Sequence, residues 1–307
     1  MPVLTNPPRF GAPLSTAIVP LVTGLRRRAM LRCGITEDQR RLAGMMVHYY
    51  QLAAHAKAAG DLPIVLIHGI ADNATTWNFV IRPLSMIGPV YAIDLPGFGL
   101  SGYPHGRRYA SIHEHTNVVR ALIREVIGRP ALLVGNSLGG WIAARLTLET
   151  AELVHGVVLL DPGGALLGGR GDWEAFVDTV AVPDLRTVRR IYRQMFGVVL
   201  PPLYLGQHGF QALFLRDAVT HFVAASNEDE FLRPEDLHAL TRPCGLIWGM
   251  RDSFLPAGSF EFFQTHLPDP QVLALRGCGH LPQLERPQAV TRFVRQFAER
   301  IKDEVER

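Results

Sequence analysis

The stretch Leu132-Leu133-Val134-Gly135-Asn136-Ser137-Leu138-Gly139-Gly140-Trp141 restricts this chain more than any other. Three apolar residues that suit a buried strand run straight into Gly-x-Ser-x-Gly. An apolar, helix-compatible run follows, from Trp141 to Leu146. Strand, sharp turn and helix are the setting that a nucleophile elbow requires. The turn strains the backbone at Ser137 and lifts its hydroxyl clear of the sheet. Side chains at positions 135 and 139 would collide with the facing strand or helix, so both are glycine. The Leu138 amide then lies at a helix N-terminus, where a free N–H and the helix dipole favour an anion.

A strand–helix alternation surrounds this stretch. Residues 15–33 read as a short helix with a basic end, and Thr36 to Gln39 as the start of a second helix. Strands are predicted at 47–53, 63–67, 90–93, 131–134, 154–160, 244–249 and 271–275. Helices are predicted at 75–87, 111–127, 257–266 and 287–305. Alternation of this kind predicts an α/β fold, a mostly parallel sheet flanked by helices. Between 165 and 234 the rhythm breaks. No buried strand is found there, only helical patterns at 172–181, 184–197, 203–215 and 216–225, so the block reads as an all-helical insertion. The expected organisation is a basic extension over 1–43, a core over 44–164 and 235–307, and the insertion over 165–234.

Charge and cysteine content restrict partners and setting. The net charge of +3 is too small to argue for nucleic acid. Its distribution is uneven, with seven arginines against two acids in residues 1–43. That segment is expected to pack outside the domain, peripheral to any catalytic centre; the sharper reading is contact with an anionic membrane surface. No apolar run approaches the ~18 residues of a membrane span, and the arginines at 26–28 follow the apolar run 15–25 rather than precede it as in a secretory signal. Cys244 opens one predicted strand and Cys278 follows the next, on the order of 15 Å away and beyond disulfide reach. Reduced thiols and a cytoplasmic setting are expected.

A serine hydroxyl needs a base within hydrogen-bond reach, and the base needs a third group to orient it. Both should lie beyond Ser137, at strand C-terminal ends. Trp248-Gly249-Met250-Arg251-Asp252 offers Asp252, and Gly277-Cys278-Gly279-His280 offers His280. Asp161 also follows a strand and ranks second as the acid, because Asp161-Pro162 suits a turn. Asp94 and Ser101 are expected to shape a loop. His113-Glu114-His115 is read as a solvated helix start, since i and i+2 do not share a face. No zinc spacing is found, and neither metal nor cofactor is expected.

With these motifs in order, the chain resembles the α/β-hydrolase fold family over roughly residues 44–300. The motifs are His68-Gly69-Ile70, Asp94-Leu95-Pro96-Gly97-Phe98-Gly99, the elbow at Ser137, the Asp252 loop and Gly279-His280. The resemblance implies that Ile70 supplies a second oxyanion-hole amide beside that of Leu138, that His68 holds the oxyanion loop, and that 165–234 is a helical cap after the sixth core strand. It also implies a serine esterase or lipase acting on small-molecule esters; the apolar residues of the insertion, Met195 to Leu205 and Leu213-Phe214-Leu215, suit an apolar acyl or aromatic group, and Trp141, Phe214 and Arg190 are candidate substrate contacts. The elbow is similar to that of the meta-cleavage-product hydrolases, which split carbon–carbon bonds. A cap arginine, Arg189, Arg190 or Arg193, would serve that reading, whereas Leu281 stands where those enzymes often carry an aromatic residue. A non-catalytic binding protein of the same fold is the third reading; all three triad members being present argues against it.

Overall fold

The computed structural model describes residues 14–305 apart from 59, 60, 169, 170, 172, 173, 175, 176, 178, 179, 181–183, 200 and 227. The helix expected over 172–181 falls largely on positions outside the described residues.

Eight strands form one sheet: β1 (Thr36–Leu42), β2 (Met45–Leu52), β3 (Ile64–Ile67), β4 (Val90–Ile93), β5 (Ala131–Asn136), β6 (Val154–Leu160), β7 (Cys244–Gly249) and β8 (Gln271–Leu275). Their spatial order is β1-β2-β4-β3-β5-β6-β7-β8. The pairs β1–β2 and β2–β4 are antiparallel and the others parallel. Strands β3 and β5 are buried throughout, as expected of a parallel sheet covered on both faces. Alternate residues feed two cores: Val65, Ile67, Leu133 and Leu159 on one face, Ile64, Leu66, Val134 and Leu160 on the other.

The longer helices among the described residues are α1 (Leu14–Arg32), α2 (Ile112–Ala121), α3 (Leu138–Glu149), α4 (Leu185–Met195), α5 (Gln207–Phe214), α6 (Asp217–Ala225), α7 (Ser259–His266) and α8 (Pro287–Val305). Ser111 and Glu114 form a capping box that starts α2. Helices α4, α5 and α6 lie between β6 and β7, where the sequence predicts a helical insertion.

Two expectations are corrected. Thr36 to Gln39 does not begin a helix; it opens β1, which joins β2 through Ala43 and Gly44. Leu42 pairs directly with Met45 across a two-residue turn. Both turn residues have positive φ, 47° and 84°, the conformation that matches strand twist in a tight hairpin. The sheet therefore begins on the N-terminal side of residue 43. The helix expected over 75–87 is broken into short turns at Ala74–Trp77 and Ile81–Leu84. Pro83, which lacks an amide proton, lies in the second.

Candidate active site

Ser137 lies between β5 and α3 with φ 54° and ψ −117°. For a residue with a Cβ this conformation is strained, and the turn around it is so tight that the positions two residues before and two after admit only glycine. A Cβ at Gly135 would come 2.2 Å from the Gly139 carbonyl oxygen; one at Gly139 would come 2.2 Å from that of Ile67. The Ser137 amide donates to Leu160 O at 3.0 Å, and Gly163 N donates to Ser137 O at 3.0 Å. The main chain of the elbow is thus pinned, while the Ser137 side chain borders two recesses.

His280 follows β8 and is buried. Its Nδ1 lies 2.7 Å from Asp252 Oδ2. The other carboxylate oxygen, Oδ1, accepts the Phe254 amide at 2.8 Å. Asp252 is thus the carboxylate that meets the imidazole ring, and Asp161 makes no such contact. With Asp252 as acceptor, Nδ1 carries the proton and Nε2 is left as the basic nitrogen.

Asp161, the second-ranked acid, is nevertheless close by. Side-chain atoms of Asp161, Asp252 and His280 lie within 4.8 Å of one another. Asp161 is wholly buried, with φ 39°. Its Oδ1 accepts the Gly249 amide at 2.9 Å, whereas Oδ2 is buried and meets no donor. Burial, reinforced by the neighbouring Asp252 carboxylate, raises the Asp161 carboxyl well above the usual range. Two ionised carboxylates are costly at this spacing in a dry site. A carboxyl raised in this way favours its protonated form, which would give the orphaned oxygen a proton to donate.

The loop carrying Ile70 is held from behind. His68 Nδ1 donates to Gly69 O at 2.7 Å, and His68 Nε2 accepts the Leu95 amide at 3.0 Å. This pattern makes His68 a structural strut between the two loops. The amides of Ile70 and Leu138 are engaged by no other group among the described residues. Asp94 and Ser101 shape the next loop as expected. Asp94 accepts the Ala74 and Leu100 amides at 2.7 and 3.0 Å, and Ser101 Oγ donates to Asp94 O at 2.6 Å.

Several supporting residues carry no motif in the sequence. Asn136 Nδ2 donates to His280 O at 3.0 Å and to Leu160 O at 3.1 Å; its Oδ1 accepts from the buried Gln283 at 3.0 Å. The residue before the serine thus fixes the loop that carries the histidine. Glu285 accepts the amides of Gly279 at 3.0 Å and Gly197 at 2.9 Å, tying that loop to the helical insertion. His48 Nδ1 lies 2.8 Å from Asp94 Oδ2. His115 is buried rather than solvated, between Phe98 and Phe222, and burial pushes it down to about 3. His113 is exposed on another face, so the two do not share a site.

The larger recess at Ser137 holds about 380 Å³ and also exposes His280. Tyr192, Phe210, Phe214 and Phe254 line it, so Phe214 lies where a substrate contact is expected. A smaller recess of about 50 Å³ is lined by Leu138, Trp141 and Phe231. Trp141 is held there by a hydrogen bond from Nε1 to Glu230 O at 2.9 Å. Arg190 lines neither recess. Helix α4 buries Val188, Ile191, Tyr192 and Met195, which leaves Arg189, Arg190 and Arg193 on its exposed face. The N-terminal segment is not peripheral. Ile18, Val19, Val22, Thr23 and Arg26 of α1 line the larger recess. A Cβ at Gly209 of α5 would come 3.0 Å from Val19, which is why the two helices approach so closely there.

The sequence profile described as the alpha/beta hydrolase family matches residues 64–293. A pimeloyl-[acyl-carrier protein] methyl ester esterase of Nitrosomonas europaea is 27% identical over 247 residues, which is 76% of this chain and 95% of that protein. Among solved structures, a membrane phospholipase A, a bacterial virulence factor, superposes with a TM-score of 0.78 at 23% identity, covering 93% of both chains. A 2-hydroxy-6-oxo-6-phenylhexa-2,4-dienoate hydrolase of Rhodococcus sp. strain RHA1 superposes with a TM-score of 0.72 at 22% identity, over 86% of this chain and 98% of that one. At those identities the two structures speak to the fold. The chain belongs to the alpha/beta hydrolase family.

Proposed function

We propose that this member of the alpha/beta hydrolase family is a serine esterase for small-molecule esters with an apolar acyl or aromatic group. The observation that carries the reading is the 2.7 Å contact between His280 Nδ1 and Asp252 Oδ2 beside a cavity shared with Ser137 on its strained turn.

In this mechanism Ser137 Oγ attacks the ester carbonyl while His280 Nε2 takes the hydroxyl proton. Asp252 keeps the other ring nitrogen protonated and stabilises the imidazolium. Negative charge moves to the carbonyl oxygen, where the amides of Leu138 and Ile70 receive it; one such donor is commonly worth ~3 kcal/mol. The imidazolium gives its proton to the departing alkoxide, leaving an acyl-enzyme. Water then attacks the acyl carbon, His280 takes its proton and returns it to Ser137, and the carboxylic acid leaves.

The helices over 165–234 act as the cap in this reading, because Tyr192, Phe210 and Phe214 bring its apolar surface to the cavity. The cytoplasmic setting fits three free cysteines, two of them buried. The carbon–carbon hydrolase alternative draws less support: the cap arginines that it calls on are exposed, and Leu281 follows His280. A purely ligand-binding role leaves the His280–Asp252 pair and the unengaged amides without a purpose.

Ser137→Ala tests the reading. Turnover of a p-nitrophenyl ester should fall by about 10⁴-fold or more with an unchanged circular dichroism spectrum. Turnover within severalfold of the parent would contradict it.

A further inference from the structure

We infer that α1 is a docking helix that seats the mouth of the substrate cavity on an anionic lipid surface. The inference rests on the esterase reading only for what the surface delivers, namely ester-bearing lipids or amphiphiles. The docking itself stands on the helix.

Helix α1 is apolar on two adjoining stripes. One, Ile18-Val22-Arg26, lines the cavity with Ser137 and His280. The next, Ala17-Leu21-Leu25, faces solvent, with Leu21 59% and Leu25 53% exposed. Leucines this open on a folded surface are a cost in water and a gain at an acyl-chain boundary. The solvent stripe continues into Arg28 and Arg32, both exposed and neither hydrogen-bonded nor ion-paired among the described residues. From Ala17 to Arg32 it spans about 22 Å. Arg27, by contrast, is committed to Glu37, with Nε 2.9 Å from Oε2.

An apolar stripe that ends in cations without a partner among the described residues matches an interface whose acyl region lies beside anionic headgroups. A further exposed leucine lies beside α1. Leu205 is 62% exposed in the Pro201–Gly206 turn, and a Cβ at the adjoining Gly206 would lie 3.5 Å from Val19 of α1. A second copy of the chain is a poorer occupant, because an antiparallel two-fold contact along this stripe sets Arg28 and Arg32 against the other copy's Leu21 and Ala17, with no carboxylate on the stripe to meet them. The cavity-lining stripe is the neighbour of the docking stripe, so an amphiphile leaving the surface meets Val22 and Arg26 at the lip of the cavity.

The test is flotation of the full chain with vesicles of phosphatidylcholine alone and of phosphatidylcholine with phosphatidylglycerol at three to one. The parent protein should float with the anionic vesicles, at least tenfold more than with the neutral ones, and less as salt rises. Arg28→Glu with Arg32→Glu should reduce the anionic binding tenfold or more. Leu21→Asp with Leu25→Asp should abolish it. Both double variants should hydrolyse a soluble short-chain ester within twofold of the parent, which also shows that they fold. Failure of the parent to bind anionic vesicles, binding by the leucine variant equal to the parent's, or conversion of a dimer to a monomer by that variant would overturn the inference. Ser137→Ala should float like the parent. Vesicle binding without ester hydrolysis would therefore count against the esterase reading alone, and hydrolysis without binding against the docking helix alone.

Discussion

Asp161 and Asp252 show how burial assigns roles to two identical side chains. Both follow strands of the same sheet edge, and each has one oxygen on a backbone amide, Gly249 for Asp161 and Phe254 for Asp252. What differs is the second oxygen: that of Asp252 meets the His280 ring, and that of Asp161 meets no donor. A neutral Asp161 resolves the conflict, and its raised pKa has a definite thermodynamic sign. Between the ordinary carboxylate value and its folded value, folding takes up a proton, so this group's contribution to stability falls as pH rises. Asp161→Asn supplies an N–H donor without the titration. Its activity should stay within severalfold of the parent, and its stability should decline less from pH 5 to 8 in urea denaturation at a series of pH values. Asp252→Asn should lower kcat by about 10⁴-fold, because amide donation favours the wrong imidazole tautomer. The reverse ranking in folded proteins would move the orienting acid to Asp161. The motif around Asp252 made its ranking legible in the sequence. The raised carboxyl of Asp161 was not legible, since it follows from burial and from a distance between two loops that are 91 residues apart.

At the scale of elements, the strands buried on both faces were the easiest to read. Ile64–Ile67 and Ala131–Val134 are continuous apolar runs, and their burial is complete. The hairpin β1–β2 was missed because Thr-Glu-Asp-Gln carries the local signature of a helix start, while the turn that decides the matter is Ala43-Gly44 rather than a more familiar Asn-Gly. The place of α1 was also hidden. Its residues alternate between cavity and solvent, and an apolar helix with two partners does not announce either one. Two side chains from different elements should now set the length of group that the cavity accepts. Phe214→Ala, on α5, opens space, and the optimum acyl length in a p-nitrophenyl ester series should move to longer chains. Val22→Trp, on α1, fills the same cavity, and the optimum should move to shorter ones. Each recognised methylene is worth ~0.8 kcal/mol, a few-fold in rate when felt in the transition state. An unchanged profile in both variants would remove the larger recess from the substrate path.

For the whole molecule, one sheet edge gathers what the sequence scatters. Ile70 follows β3, Ser137 follows β5, Asp161 follows β6, Asp252 follows β7 and His280 follows β8. Parallel strands place all five loops on the same side, which is why a linear order of motifs predicted a site. The strand order could not place α1 or the insertion, because neither pairs with the sheet; their packing rests on side-chain fit at Val19, Gly209 and Tyr192. No helix among the described residues is long and apolar enough to cross a membrane. The central claim is that ester cleavage passes through an acyl group on Ser137. The direct measurement is intact-protein and peptide mass spectrometry after inactivation with an alkyl fluorophosphonate, a reagent that traps activated serines as the tetrahedral ester. The account predicts one adduct per chain, on the peptide containing Ser137, formed in step with loss of activity and absent in Ser137→Ala. Full esterase activity in a protein that carries the adduct at Ser137, or loss of activity through an adduct on another residue, would contradict it.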